Sequence, residues 1–378
     1  MKPSGDRQIA PQAASSASSP TATAGIEGAR SWIKTNGFIL GLFAVVGLAF
    51  LFPNPGSRNG WMHPELAQNV GIALILFLQG LSMPLEKVRR GAGNWKLHVI
   101  IQSFTFLIFP IVGLAFSAVV RKFWPSEPGA IRDGFLFLCV LPSTVSTSVV
   151  LTAVAGGNTA AAILSAAFSN IVGVVLTPVL VSLLMHATGK TAASGSFGPL
   201  LLEITMLTLV PFAVGVGFRP LIWHWVDANK KWVNRISNSV ILFFVYSAFC
   251  DSVKEKIWQQ YGFLLTGEVL GGVVVLFGSV SLLIYLASHL ARLNREDAIA
   301  CYFCSVKKTL AMGIPLAMLI FGSRRDLSLI LLPIMFYHPF QLFTNGLVAN
   351  YWAKAASGRP PSDLIQVSDG LDDKSAGP

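Results

Sequence analysis

The segment from Asp297 to Gly322, DAIACYFCSVKKTLAMGIPLAMLIFG, is long enough to cross a bilayer as a helix, yet it carries Lys307 and Lys308 near its middle and Pro315 shortly after. Each lysine at the bilayer centre costs roughly 2.5–3.5 kcal/mol on insertion scales, while each Leu or Ile returns only about 0.3–0.6 kcal/mol. Neighbouring spans can carry that cost. Such charges then face a protein interior or a wet cavity, with their ammonium groups near carboxylates, carbonyls or an anionic ligand. The segment is therefore read as the centre of a transport site.

The rest of the chain agrees with a membrane setting. Of its 378 residues, 53% are hydrophobic and only 12% charged, about half the charged fraction of a soluble domain. The net charge of +10 would suit nucleic acid, but the basic residues sit in short loops between apolar runs and read as topology signals. Cys139, Cys250, Cys301 and Cys304 all lie in apolar segments, so packed thiols are expected rather than a disulfide framework. No metal site is expected either, because neither a second cysteine pair nor a nearby histidine completes Cys301-x-x-Cys304. The sequence carries no Walker motif and no Gly-x-Ser-x-Gly elbow, and no catalytic residue is assigned.

Residues 1–31, rich in Ala, Ser, Thr and Pro, and residues 357–378 are expected to be disordered tails. Between them, residues 32–356 form one transporter domain with ten apolar spans. These cover about 33–52, 66–83, 97–120, 134–155, 159–185, 200–218, a seventh ending at Asp251, 263–290, 297–322 and 327–351. With the amino terminus inside, the loop bearing Lys87, Arg89, Arg90 and Lys96 and the group Lys230, Lys231 and Arg235 fall on the cytoplasmic side. Both termini are then cytoplasmic, and a multi-pass protein of the plasma (inner) membrane is expected.

The fourth and ninth spans resemble each other. The fourth opens after Arg132-Asp133, meets Pro142 and the run Ser143, Thr144, Ser146, Thr147, Ser148, and ends at Gly156-Gly157-Asn158. The ninth opens after Arg295-Glu296-Asp297, meets Ser305, Lys307, Lys308, Thr309 and Pro315, and ends at Gly322-Ser323. Each is fourth in a set of five. Interrupted spans at matching places in two halves point to an inverted-repeat transporter, with repeats at about 32–187 and 198–356. Broken helices at membrane depth leave backbone groups that only protein, water or a ligand can satisfy. Half-helix amino ends favour anions and carbonyl ends favour cations.

Four stretches in this order, LPSTVSTSVVLTAVAGGNTAAAILSAAFSNIVGVVLTP (Leu141 to Pro178), FCD (Phe249 to Asp251), FCSVKKTLAMGIP (Phe303 to Pro315) and YHPFQL (Tyr337 to Leu342), make the chain similar to the bile acid:sodium symporter family and its SBF-like branch. The resemblance spans about Ile33 to Ala353. It implies a panel domain of spans one, two, six and seven and a core domain of spans three to five and eight to ten, with the fourth and ninth unwound and crossing near the midplane. Classical members bind sodium through a Ser-Asn pair in the fourth span, hydroxyls in the fifth, a Gln in the third, and a Glu and a Gln in the ninth. Here the Glu position falls near Tyr302, the Gln near Val306, and the Ser-Asn pair at Ser148-Val149. Ser165 and Ser169 lie close to the hydroxyl positions, and Gln102 about one turn from the third-span Gln. A lysine where a carboxylate is lost opposes binding of a hard cation. Altered or absent sodium coupling is therefore expected, with no other cofactor.

Adjacent helical residues point about 100° apart, so one of the two lysines faces the site. A lysine at the matching place in a related branch favours Lys308, as a built-in cation or as a partner for an anionic substrate. Ser143, Thr144, Ser146, Thr147 and Ser148 are candidate ligands or helix-bonded hydroxyls. Asn158 reads as a ligand or a turn residue, and Asn170 and Gln102 as site or cross-helix residues. Ser305 and Thr309 belong with the ninth break. His338 is a candidate for proton coupling or a structural bond, and Asp251 for a gate or a helix-end acid. The reading is a carrier of a small organic anion in contact with lipid, with no nucleic-acid partner. The alternative is a non-transporting membrane regulator, for instance of calcium handling. Solute, coupling ion and oligomeric state stay open.

Overall fold

The structure is a computed structural model that describes residues 37–58, 60–83, 94–124, 127–187, 197–262 and 264–357. The expected disordered tails lie outside these residues, apart from Ser357, which closes the last helix; Lys87, Arg89 and Arg90 lie outside as well. Among the described residues all regular structure is helical, as required where lipid cannot satisfy backbone groups.

The described residues begin with α1 (Gly37–Leu51) and α2 (Pro64–Leu81). Pro64 opens α2, where the missing N–H costs nothing, and Pro53 does the same for a single turn before it. The helix α3 (Trp95–Phe123) starts at an Asn94 cap and widens into a π-helical segment over Phe104–Ile108, just before Pro110. The fourth apolar stretch is two helices, α4 (Gly129–Val140) and α5 (Ser146–Val154), separated by an extended break at Leu141–Val145. Then come α6 (Thr159–Ala187), α7 (Phe197–Ala228, kinked at Ile222), α8 (Lys230–Lys254) and α9 (Leu264–Leu290). The ninth stretch is again two helices, α10 (Arg295–Val306) and α11 (Leu310–Phe321), and α12 (Leu327–Ser357) ends the described chain. Both breaks fall where prolines or charged residues interrupt the apolar run.

Among the described residues, seven spans are long and apolar enough to cross a membrane: α3, α6, α7, α8, α9, the α10–α11 pair and α12. The apolar helices α1 and α2 are shorter, and α4 with α5 makes up the remaining broken stretch. The α10–α11 span is the most buried of the seven, so its two lysines face protein.

Packing divides the helices. The closest pair is α2 with α7, and α8 lies against α2. A side chain on Gly80 would strike the carbonyl of Phe212, and one on Gly215 that of Phe77. This reciprocal contact lets the two backbones meet, the small-residue packing typical of membrane helices. On the other side, α12 packs on α4 and α9, while α10 touches α5, α6 and α9.

Candidate functional site

The two breaks touch. Thr309 donates its backbone N–H to Pro142 O at 3.0 Å, joining the non-helical residues of both stretches. The surrounding carbonyls are then accounted for in turn. Thr177 Oγ1 donates to Val140 O at 3.0 Å, Asn170 Nδ2 to Ser143 O at 2.8 Å, and Tyr337 Oη to Val306 O at 2.7 Å. Ser143 N donates to Ser169 Oγ at 3.1 Å, and Ser148 Oγ to Phe303 O at 3.1 Å. Gln341 holds the backbone of Lys308 from both sides: Lys308 N donates to its Oε1 at 2.9 Å, and its Nε2 donates to Lys308 O at 2.8 Å. Unpaired backbone at membrane depth is thus replaced by side-chain partners.

Lys308 is fully buried and its Nζ donates to three carbonyls, Thr105 O at 3.1 Å, Cys139 O at 3.0 Å and Leu141 O at 2.8 Å. The nitrogen also lies 4.0 Å from the centroid of the Phe109 ring, a cation–π contact. Each carbonyl is available for a local reason. In the π segment Phe109 N–H bonds Phe104 O, one residue further back than in an α-helix. By the same register Thr105 O meets Pro110, which has no N–H. Cys139 O lies in the last turn of α4, where Ser143 N has turned away to Ser169, and Leu141 O lies in the extended break. The negative end of α4 therefore holds an ammonium ion.

Several side chains at or beside the positions aligned with sodium ligands have protein partners. Ser165 Oγ lies 2.6 Å from His98 Nδ1, and Gln102 Nε2 donates to Ser165 O at 2.9 Å. Tyr302 Oη donates to Ser281 Oγ at 3.3 Å, and Ser305 Oγ is 4.0 Å from Cys301 Sγ. Lys307 is buried, and its Nζ, Gln102 Oε1 and Ser143 Oγ have no hydrogen-bond partner among the described residues. Asn158 stands apart from the crossing, capping α6 at Ala161 N and donating to Asp297 Oδ1 at 2.8 Å. All four cysteines are buried and free. Among the described residues no three His, Cys, Asp or Glu side chains could share a metal ion.

A cavity of about 300 Å³ lies against the crossing. From the sequence candidates it takes Thr144, Ser146, Thr147, Asn170, Thr309 and His338; Lys307 and Lys308 do not line it. Both α5 and α11 begin at this cavity, and neither first turn is capped by a side chain of its own cap residue. Two helix amino ends thus bring partial positive charge and N–H donors to one place. His338 Nδ1 accepts from Gln341 Nε2 at 3.1 Å, since Lys308 N–H fixes which end of that amide is oxygen.

The opposite wall lies outside the residues singled out in the sequence. It comprises Gln79 and Ser82 at the end of α2 and Asn234, Ser237 and Asn238 on α8. The last three, at i, i+3 and i+4, form a polar stripe on an apolar helix, a signal present in the sequence. Asp251, at the far end of α8, accepts from Arg58 N at 2.9 Å and lies 3.5 Å from Arg58 Nε.

The model of the SBF-like CPA transporter family matches residues 36–354. Over 322 residues the chain is 35% identical to "Putative symporter YfeH" of Escherichia coli (strain K12), covering 84% of this chain and 92% of that protein. It is 30% identical over 325 residues to "Sodium/bile acid cotransporter 7" of Rattus norvegicus, again covering 84% and 92%. With membrane-length helices, two touching breaks and these matches along nearly its whole helical region, the chain belongs to the SBF-like CPA transporter family.

Proposed function

We propose that this protein is a secondary-active carrier of a small organic anion in which the ammonium group of Lys308 stands in for a coupling cation. The observation that carries the reading is the set of three carbonyls around Lys308 Nζ, at 2.8–3.1 Å. Hard cations are held by such oxygens, and here a tethered charge has them. A second cation among the same oxygens would meet that charge at close range. Neither Tyr302 nor Val306 offers the carboxylate or carboxamide of the classical sodium ligands. Sodium therefore has no role at this centre.

The anion's place is the cavity of about 300 Å³, lined by uncharged polar side chains and His338 together with apolar ones such as Leu78, Phe212 and Ile241. Recognition comes from the amino ends of α5 and α11, each worth about 0.3–1 kcal/mol to an adjacent anion at an exposed site and more where water is excluded. Ser146 and Thr309 supply hydrogen bonds from one side and Asn234 and Asn238 from the other, whereas the donors of Thr144, Thr147 and Asn170 are already given to protein oxygens. Ten spans in two inverted sets, α1–α6 and α7–α12, accommodate the breaks in matching places. A panel of α1, α2, α7 and α8 against a core of the remaining helices is supported by the α2/α7/α8 packing. With both termini cytoplasmic, the cavity opens inward, since Phe38, Ser82 and Asn234 lie near helix ends on that face.

The test is thermal unfolding of the purified protein in sodium chloride and in choline chloride, for the wild type and Lys308→Ala, together with counterflow in proteoliposomes. The wild type should respond equally to both salts and exchange a carboxylate or sulfonate without sodium. Lys308→Ala, with its carbonyls vacated, should be destabilised and gain a sodium-dependent rise in Tm. Sodium-dependent uptake by the wild type would overturn the tethered-cation reading. Absence of saturable counterflow across a panel of organic anions would overturn the carrier reading.

A further inference from the structure

A second cavity, of about 540 Å³, lies where α9 turns into α10, beside the end of α12 and away from the crossing. Its floor is aromatic and apolar, with Ile299, Tyr302 and Trp352, and its rim carries Arg292, Arg295 and His289. No carboxylate lines it. Of the two nearby acids, Asp297 is turned to three asparagine amides, and Glu296 is exposed in the first turn of α10 without lining the cavity. Lys96 adds a further cation to the same turn, donating to Ala291 O at 3.3 Å.

Arg292 sits at a position that argues for its charge. The helix α9 ends with Arg292 N bonded to His289 O at 3.0 Å and Leu293 N to Ser288 O at 3.1 Å, with Arg292 itself left-handed at φ 51°. That hydrogen-bond pattern is the Schellman stop, whose left-handed residue is usually glycine because a Cβ is strained there. Here a long cationic side chain takes glycine's place, as Lys256 does at φ 56° before another helix, and it sets a positive charge beside the carboxyl end of α9. Just before the turn, Leu282, Leu286 and Leu290 of α9 are 58%, 47% and 84% exposed, an apolar track for acyl chains leading to the arginines.

We infer that this cavity is a binding site for the phosphate headgroup of an anionic phospholipid, with Arg292 and Arg295 as the phosphate contacts and the α9 track against the lipid tails. Basic pockets between membrane helices at the interface are suited to such headgroups, and guanidinium groups pair with phosphate oxygens in a fork. Arg295 is held in place by its Nη2, which donates to Trp352 O at 2.8 Å. Arg292 is exposed and free to meet the ligand. The site rests on α9, α10 and α12, so its occupant ties these helices to the bilayer whatever the chain carries.

The experiment compares thermal unfolding of the full-length protein in detergent micelles titrated with phosphatidylglycerol, phosphatidylcholine or free glycerol 3-phosphate. Phosphatidylglycerol should raise Tm by several degrees more than phosphatidylcholine, with little effect from glycerol 3-phosphate. Arg292→Asn keeps a residue that accepts the left-handed conformation while removing the charge. It should fold as well as the wild type in phosphatidylcholine and need at least fivefold more phosphatidylglycerol for the same shift. Arg295→Gln should weaken the response similarly, whereas Lys231→Gln, an exposed cation elsewhere, should keep it. Equal responses to the two lipids, or an undiminished response in both arginine variants, would overturn the site. An equal response to glycerol 3-phosphate would overturn the lipid as its occupant.

Discussion

Asp297 shows how single residues hold the ends of the helices that carry the crossing. It is nearly buried and accepts from Asn158 Nδ2 at 2.8 Å, Asn94 Nδ2 at 2.7 Å and Asn294 Nδ2 at 3.0 Å. The same three amides use their oxygens to cap α6, α3 and α10, at Ala161 N, Leu97 N and Asp297 N. One carboxylate thus rivets three helix starts. Asp297→Ala removes three charge-assisted bonds and leaves three amides to find other partners, a loss of about 2–4 kcal/mol. A Tm in detergent several degrees below the wild type is expected, and an unchanged Tm would show the rivet to be dispensable. In the sequence Asp297 reads only as a span border and Asn158 as a ligand or turn residue, because the convergence joins residues about 60, 140 and 200 positions apart. Lys308 was legible as a buried charge. Its partners were not, since main-chain carbonyls from two distant stretches leave no mark in residue type.

At the scale of helices, legibility followed composition. Pro142 and the charged pair at 307–308 announce the breaks, and α4/α5 and α10/α11 part at those places. The π segment of α3 follows from Pro110, yet its consequence, a carbonyl freed for Lys308, needs the partner's position. The α7 helix runs to Ala228, beyond the apolar stretch expected to end near Phe218, with a kink at Ile222. Composition marks where a segment leaves lipid rather than where its helix ends. Contact between α2 and α7 rests on Gly80 and Gly215 facing each other's backbones, and isolated glycines among 34 did not stand out. Gly80→Val would force these helices apart, because the obstructing atom is the rigid carbonyl of Phe212. The variant should unfold at lower temperature and lose exchange, while Gly217→Val, where added atoms meet open space, should retain both. Equal stability of the two variants would remove the close approach as a requirement.

For the molecule as a whole, the contacts that an access cycle would exchange under the proposed division into panel and core lie on the face opposite the cavity. Arg58, between α1 and α2, pairs with Asp251 of α8 and donates through Nη2 to Gly322 O at 2.7 Å and Arg324 O at 3.3 Å, beyond α11. A second pair, Arg325 Nη1 with Glu255 Oε2 at 3.6 Å, spans the same boundary. Arg324 itself is held by Asp326 and Asp133, both at 2.7 Å, and bonding to these carboxylates, first to Asp326, raises its guanidinium pKa further, so the carbonyl that Arg58 grips belongs to a firmly placed loop. In the proposed division these bonds link panel to core and close the outer side while the cavity faces inward. Partly exposed pairs of this kind contribute about 1–2 kcal/mol together, enough to change the ratio of two access states by about 5–30-fold. Arg58→Gln should therefore raise the outward-open population. Gln68 lines a pocket beside Arg58 and Asp251, so a Gln68→Cys reporter can be followed with a membrane-impermeant maleimide, the native cysteines being buried. Labelling from outside should quicken several-fold when Arg58→Gln is added, and high salt should quicken it in the Arg58 protein by screening the pair. If neither change alters the labelling rate, Arg58 is a surface contact and the barrier between the two access states lies in the apolar packing of α11 against α2 and α8.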